Sequence, residues 1–544
     1  MGRSFFSGVL LLTVANLTVK VIGLIYKIPL TNMLGDEGMG YFNTAYQIYS
    51  WLYMFSTSGL PVAMSMMISR CNAASRHAEK NKLLRLTLCL FLAVGLAGSL
   101  IMAIFCRGLA GFISADYSYL CILAISPALF FVCISSTLRG YFQGHSNMLP
   151  TAISEIIESV GKMSLGILLG AYALKKGLPL YQVAAYSIIG VSVGVAAGAI
   201  FLIISKLLAK ETTGEATDVL AQENKTHSVN SGKKLLKELL SIAIPVMISA
   251  SLLSMSSLLD TLIVIRRLKA TGITESASIA MYGNYTSYCV TLFNLPPVLI
   301  YPIVNALIPI VSSARALGEN ERARNVMQTA LRLSAVIALP CSMGLAALSE
   351  PILKLIFTSE ASAEMAAPLL TVLAPSIFLI GIMAVSNGIL QSNGFQNYTL
   401  LSMIAGAAVK ALGAFLLPTL TVGDFTLRMY AAPISTFLFY LTVTVMNFYF
   451  IVKHTGFKIS VAGIYVRPFL ASAICAICAS GSFLLLYRIT ESRAAVLPAI
   501  GIAAIIYLIC LFLFGAISRE DILLLPMGKK LCTMLEKIKL IKKT

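Results

Sequence analysis

Apolar runs of roughly twenty residues, separated by short polar stretches, recur from one end of the chain to the other. Each is long enough to cross about 30 Å of hydrocarbon as an α-helix. The pattern predicts fourteen spans, at about 6–30, 41–69, 84–106, 118–139, 151–174, 181–207, 238–265, 281–311, 329–350, 366–390, 398–418, 429–452, 464–487 and 495–517. Pro61, Pro127, Pro245, Pro302, Pro340 and Pro375 fall inside them and predict kinks. The fold class this implies is an all-α polytopic membrane protein. Composition agrees: 58% of the 544 residues are hydrophobic, 12% are charged, and the mean hydropathy is +0.86. The opening stretch has no small-residue cleavage site closing a short apolar region, so it reads as a retained first helix.

One long polar interruption, "AKETTGEATDVLAQENKTHSVNSGKK" at 209–234, lacks aromatics and reads as a flexible cytoplasmic linker. It divides an N-terminal lobe, 1–208 with spans one to six, from a C-terminal lobe, 235–455 with spans seven to twelve. A final pair of spans lies within 456–520, and a basic tail covers 521–544. The lobes repeat. At an offset of 248 residues, 123–169 faces 371–417 with eleven of 47 positions identical, including Pro127 with Pro375, Gln143 with Gln391, Ser154 with Ser402 and Lys162 with Lys410. Apolar composition does not predict matched proline, glutamine and lysine. Six spans separate the copies, so both enter the membrane in the same sense, the parallel repeat with which secondary transporters build a site between lobes.

The net charge of +18 follows the topology. With the N-terminus inside, 27 of the 41 Lys and Arg lie on the cytoplasmic side. This positive-inside bias predicts a multi-pass protein of the cytoplasmic membrane with both termini cytoplasmic, and removes the need for a nucleic-acid partner. In the tail "PMGKKLCTMLEKIKLIKKT", Leu531, Leu535, Ile538 and Ile541 recur at helical spacing among lysines, which predicts contact with anionic inner-leaflet lipids.

Ionisable residues inside spans are costly and mark cavities, partners or interfaces. Lys20 and Lys27, seven positions apart, share a helix face with Thr13 and Asn16, a polar stripe directed at a water-filled interior. For Lys27, near the outer end of its span, snorkelling to the interface is the competing reading. The fifth span carries Glu155, Glu158 and Lys162, the last two in the favourable order for an intrahelical ion pair. Met403 and Gly406 replace the acids in the second copy while Lys410 remains, so that lysine answers to another helix, to water or to an anionic ligand. Asp260 is the lone acid of the seventh span, and either an ion pair across the bundle or coupling to a cation or proton accounts for it. Arg266 and Arg267 are read as anchors at the outer rim.

Several chemistries are excluded by pattern. No phosphate-binding GxxxxGK[ST] loop and no HExxH occurs, and the four histidines lack metal spacing. Cys475 and Cys478 form a CxxC inside an apolar span, where packing is the expected role. No cofactor and no enzymatic domain are expected.

The stretch "KVIGLIYKIPLTNMLGDEGMGYFNTAYQIYSWLYMFSTSGLPVAMSMMIS" at 20–69, with "DTLIVIRRL" at 260–268 and "RGYFQG" at 139–144, resembles polysaccharide-biosynthesis membrane proteins of the multidrug/oligosaccharidyl-lipid/polysaccharide exporter superfamily. Within it the stretch is similar to the stage V sporulation protein B group and related lipid II flippases of Gram-positive bacteria. The resemblance implies a bilobed bundle that moves an undecaprenyl-pyrophosphate-linked glycan across the membrane by alternating access. It also implies a cationic cavity for the pyrophosphate, in which Lys20 takes the place of a basic residue on the first helix. A basic residue expected ahead of a Leu-Pro in the eighth span is Thr291 here, and Ser65 is followed by Met66 where the family has Ser-Lys. In-span lysines favour an anionic ligand, since a Lys ammonium is a strong donor to phosphate in low dielectric. A cation- or proton-coupled multidrug antiporter on the same fold is the alternative, and would use acids. A membrane-embedded glycan polymerase would need a long outward loop that the sequence lacks.

Overall fold

The computed structural model describes residues 2–73, 77–145, 147–213, 232–422, 425–426, 428–456 and 462–516. The basic tail at 521–544 and most of the linker at 209–234 lie outside these residues. The described chain is helical apart from a two-residue antiparallel hairpin, β1 (Thr421–Val422) with β2 (Phe425–Thr426). Among the described residues twelve helices are long and apolar enough to cross a membrane, against the fourteen spans expected. Two helices account for the difference. The stretch Val14–Asn72 holds the first two expected spans in one run of 59 residues, about 88 Å of helix if it were straight. The fifth expected span carries Glu155, Glu158 and Lys162, which lower its apolar character, although its helix is 27 residues long.

Contacts divide the chain into two compact units, Met1–Gly283 and Asn284–Thr544. The first contains α1 (Gly2–Ala73), α2 (His77–Ile104), α3 (Cys106–Ile113), α4 (Tyr119–Gly144), α5 (Leu149–Lys175), α6 (Leu180–Thr213), α7 (Gly232–Ala270) and nearly all of α8 (Glu275–Asn284). The expected boundary at 209–234 is therefore not where the packing divides. The reason is α7, whose Leu235, Leu239 and Ala243 are buried in one core with Leu60, Met64 and Ile68 of α1, Leu83 and Phe91 of α2, Leu138 and Phe142 of α4 and Leu202 of α6.

Within α1 the "GDEG" motif has a structural reason. Gly35 sits at φ 63° and ψ −172°, a conformation open to glycine, and it kinks the run into two helical pieces at this point. The contact between α5 and α6 is set by another glycine. A methyl group at Gly194 would stand 2.6 Å from the Glu158 carbonyl oxygen and 2.7 Å from the Lys162 nitrogen, so the two backbones touch where the charged face of α5 begins. Small residues at such crossings let membrane helices approach closely enough for dispersion to hold them.

The second unit continues from a π-helical turn, Tyr285–Cys289, through α9 (Val290–Phe293) to α10 (Pro297–Ala316). The single span expected at 281–311 is thus interrupted at Asn294–Pro296, where Pro296 and Pro297 lack the N–H groups that would continue the ladder. There follow α11 (Asn320–Ala347), α12 (Ser349–Ile356), α13 (Glu360–Leu373), α14 (Pro375–Ser392), α15 (Gln396–Leu416), α16 (Ala431–Thr455), α17 (Arg467–Thr490) and α18 (Val496–Leu513). Pro375 opens α14 at its first position instead of kinking a continuous span at 366–390. Ile300, Leu331, Ile382, Val385 and Ile451 share the main core of this unit. The last two helices pack on α11 through Ala471, Cys475, Ala503 and Tyr507, whose hydroxyl donates to the Val336 carbonyl at 2.6 Å.

Replacing Gly194 with Leu forces α5 from α6 and is expected to destabilise the protein by about 1–3 kcal/mol or more. The melting temperature of the detergent-solubilised variant should fall, and an unchanged value would mean that the crossing is not tightly packed.

Candidate functional site

The residues that bring charge into the first unit come from four stretches of chain. Beyond Gly35, α1 presents Phe42, Tyr46, Tyr49 and Tyr53 at i, i+4, i+7 and i+11, one stripe of a helix. Successive ring centroids lie 6.0, 6.0 and 5.7 Å apart. Before Gly35 the same helix supplies Tyr26 and Lys27. Lys27 Nζ donates to Asn43 Oδ1 at 2.7 Å and lies 5.7 Å from the Phe42 ring centroid. Lys162 arrives from α5, donates to Tyr46 Oη at 3.3 Å, and stands 5.0 Å from the Tyr46 ring and 5.8 Å from that of Tyr26.

Lys27 and Lys162 therefore sit on two rings that stack on each other at 17°. Each contact of this kind is worth about 0.5–1 kcal/mol when exposed and about 2 kcal/mol when desolvated. Both lysines are half-buried. The Lys27 ammonium is held by Asn43 of the same unit.

The acids of α5 have a partner that the sequence reading missed. Arg139 of α4, with 6% of its side chain exposed, reaches Glu158 Oε2 through Nη2 at 2.9 Å and Glu155 Oε1 through Nη1 at 3.9 Å, while its Nε donates to Ser154 Oγ at 3.0 Å. This corrects the expected intrahelical Glu158–Lys162 pair. A planar guanidinium addresses two carboxylates and a hydroxyl at once, which a single ammonium on the same helix cannot do. Arg139 falls at the edge of its predicted span and so was not among the in-span charges. Three cations then stand against two carboxylates in this part of the unit.

The polar stripe at the start of α1 is also resolved. Asn16 and Lys20 are exposed in the first unit, whereas Ala15, Tyr26 and Leu30 are buried. Val14, Leu17, Val21 and Ile25 are exposed as well, on a face centred roughly 125° from that of Asn16, Lys20 and Lys27 at 100° per residue. The helix thus has a packing face, an apolar exposed face and a separate polar exposed face. The Thr13 side chain is outside the described residues.

Asp260 is buried on α7, and the neighbouring Thr261 hydroxyl meets Tyr282 Oη at 2.5 Å. Arg266 is exposed and Arg267 half-buried near the end of the same helix.

In the second unit Lys410 is only 2% exposed, and its Nζ donates to Thr436 Oγ1 of α16 at 3.0 Å. The repeat mate of Arg139 is Asn387, which accepts from Asn447 Nδ2 at 2.7 Å, and Ser386 Oγ accepts from the same group at 3.0 Å. The charged triad of α4 and α5 is replaced there as a set by neutral groups while the lysine persists. Among the described residues no cluster of His, Cys, Asp and Glu could hold a metal ion.

The chemistry on offer is a half-buried pair of ammonium donors on an aromatic wall, with carboxylates held aside by an arginine. Arg139→Gln leaves Glu155 and Glu158 without their cation and is expected to cost about 3–5 kcal/mol. Adding Glu158→Gln should recover a large part of this, and a double-mutant cycle of melting temperatures that shows no coupling would refute the assignment.

Comparison with known proteins bears on the family and the fold. The family model described as polysaccharide biosynthesis protein matches residues 5–315, and the model MatE matches residues 245–416. The stage V sporulation protein B of Bacillus subtilis (strain 168) is 24% identical over 529 residues, covering 96% of this chain and 98% of that protein. The lipid II flippase MurJ of the same organism is 24% identical over 543 residues, covering 95% and 97%. A solved structure of lipid II flippase MurJ in an inward closed conformation superposes with a TM-score of 0.67 at 14% identity, over 93% of this chain and 98% of that one. The fold is shared with that structure, and since the family match takes in more than half of its length, this multi-pass membrane chain belongs to the polysaccharide biosynthesis protein family.

Proposed function

We propose that this protein is a flippase that translocates an undecaprenyl-pyrophosphate-linked saccharide, lipid II or a related cell-envelope precursor, across the bacterial cytoplasmic membrane by alternating access. One observation carries the reading: Lys27 and Lys162 are drawn together from distant stretches of sequence and held half-buried on Phe42 and Tyr46, while Arg139 neutralises the neighbouring acids. An ammonium pair in low dielectric favours a diphosphate, because charge-assisted hydrogen bonds gain strength as water is excluded. Similarity to lipid II flippase MurJ over nearly the full length supports the same substrate class. Lys20 and Asn16, on the exposed polar face of α1, extend the site toward the headgroup. Lys410 is the second copy's counterpart to Lys162, held closed by Thr436.

The remaining assignments follow from the repeat and the charge distribution. Two lobes alternate their opening, with α7 packed on the first of them; both termini face the cytoplasm; the basic tail rests on anionic inner-leaflet lipids. Asp260, Glu155 and Glu158 are the acids that could take up a coupling cation or proton. The protein moves its substrate without chemical change and is not an enzyme.

A second reading, a cation- or proton-coupled multidrug antiporter, is favoured by the MatE match over residues 245–416. The sign of the site separates the two, since a cationic drug would meet two ammonium groups at Lys27 and Lys162.

Depleting the protein should leave a pyrophosphate-linked glycan lipid accumulating on the inner leaflet. Lys27→Gln and Lys162→Gln should each cut transport tenfold or more with membrane abundance unchanged, and Lys20→Gln should cut it less. Wild-type transport in all three variants would defeat the cationic site.

A further inference from the structure

Away from Lys27 and Lys162, a second set of cations gathers at one end of the first unit, where α2 begins and α4 and α6 end. Lys80 Nζ donates to His145 Nε2 at 3.2 Å, and His145 Nδ1 donates to the Tyr141 carbonyl at 2.9 Å, so the imidazole is neutral with its proton on Nδ1. The His145 ring centroid lies 4.4 Å from that of Tyr141. Lys206 of α6 stands 3.8 Å from the Tyr141 ring centroid and donates to its hydroxyl. Tyr141 is buried, while Lys80, His145 and Lys206 are half-buried and so within reach of a ligand.

The cluster is built into the packing. Lys206 lies on the side of α6 that carries Ile188, Val195, Ala199 and Leu202, all buried, so it is directed at α4 and not outward. Of the neighbouring acids, Glu79 is buried on α2 beside Lys80, and Glu238 is paired with Arg70 at 3.0 Å. Two ammonium groups drawn to one tyrosine from different helices repel each other, and an anion seated between them relieves that repulsion. The half charge at the C-terminus of α4 offsets only part of it.

The surface beside the cluster says which anion. On α6, Tyr186, Val193, Ile200 and Leu207 recur every seven residues as one exposed stripe, and Ile203, Ile204 and Leu208 widen it. This apolar surface reaches the residue next to Lys206. An anion that carries acyl chains meets both features at once, its headgroup on the cations and its chains along α6.

We propose that Lys80, Lys206, His145 and Tyr141 form a site for the phosphate of an anionic phospholipid, whose acyl chains lie along the apolar stripe of α6. Basic pockets between membrane helices take phospholipid headgroups in this way. The site shares no residue with the Lys27 and Lys162 pair, and it stands whether or not the flippase reading does. The bound lipid is a component of the surrounding membrane and clamps α2, α4 and α6 at their common end.

The test uses the detergent-solubilised full-length protein and three probes: phosphatidylglycerol, phosphatidylcholine and inorganic phosphate. Native mass spectrometry counts bound lipid, and the melting temperature is read with and without each probe. Wild-type protein should bind phosphatidylglycerol in preference to phosphatidylcholine and melt higher in its presence. Lys206→Gln should weaken that binding about fivefold, and Lys80→Gln with Lys206→Gln about 25-fold, with the thermal increment lost. Lys206→Arg, which keeps the charge, should retain both. The basic tail is the same in every variant, so its own attraction for the lipid cancels. An increment and an affinity unchanged in the double variant would overturn the site. A melting temperature lowered equally with and without phosphatidylglycerol would reduce the cluster to a structural clasp and overturn it too. Stabilisation of the wild type by inorganic phosphate as strong as by phosphatidylglycerol would overturn the assignment to a lipid.

Discussion

Arg139 takes up both carboxylates of α5, and the character of the first unit depends on that contact. If Glu158 were paired with Lys162 along the helix, the site would be a neutral, self-satisfied ion pair of the sort that spans tolerate. Because the guanidinium draws Glu158 and Glu155 toward α4, Lys162 is left to an aromatic surface and one phenol hydroxyl. A ring face attracts an ammonium without neutralising it, so the positive charge remains available to a ligand. Lys27 is treated alike, with Asn43 and Phe42 in place of an acid. The close crossing of α5 and α6 at Gly194 supports this geometry, since it fixes the backbone from which Glu158 and Lys162 project.

The internal repeat gives a comparison within one chain. Its second copy keeps the lysine and loses Arg139, Glu155 and Glu158 together, with Asn387, Met403 and Gly406 in their places. Concerted loss is what a mutually dependent set predicts, because any one of the three left alone in a span would be an uncompensated charge. Lys410 accordingly sits nearly closed off, bonded to Thr436, while Asn387 and Asn447 make a neutral network. The two copies share a frame and a lysine and differ in electrostatics: ionised groups stand beside the lysine in the first copy and neutral ones in the second.

Much of the fold was legible in the chain because hydrophobic run length and charge count are local properties. The helices at 84–106, 329–350 and 464–487 needed nothing more. The interruption at Asn294–Pro296 was less legible: two adjacent prolines point to it, but an apolar run on either side reads as one span. The packing of α7 with α1, α2, α4 and α6 could not be read, since it depends on which surfaces meet. At the site, Lys27 and Lys162 were visible as charges out of place, whereas their common aromatic seat was not. The stripe Phe42, Tyr46, Tyr49, Tyr53 does carry a sequence signal, its helical spacing, and its meaning comes only when Lys162 and Arg139 arrive from other helices. Arg139 itself was hidden by lying where a predicted span ends.

On the proposed function, the first unit offers an exchangeable positive site to a diphosphate-bearing lipid. The direct measurement is translocation by the purified protein in sealed proteoliposomes, following the appearance on the opposite leaflet of a lipid-linked disaccharide diphosphate. The expected result is protein-dependent translocation that a soluble diphosphate competes away and a lipophilic cation does not. Protein-dependent movement of a cationic dye, with the glycan lipid left on its original leaflet, would contradict it.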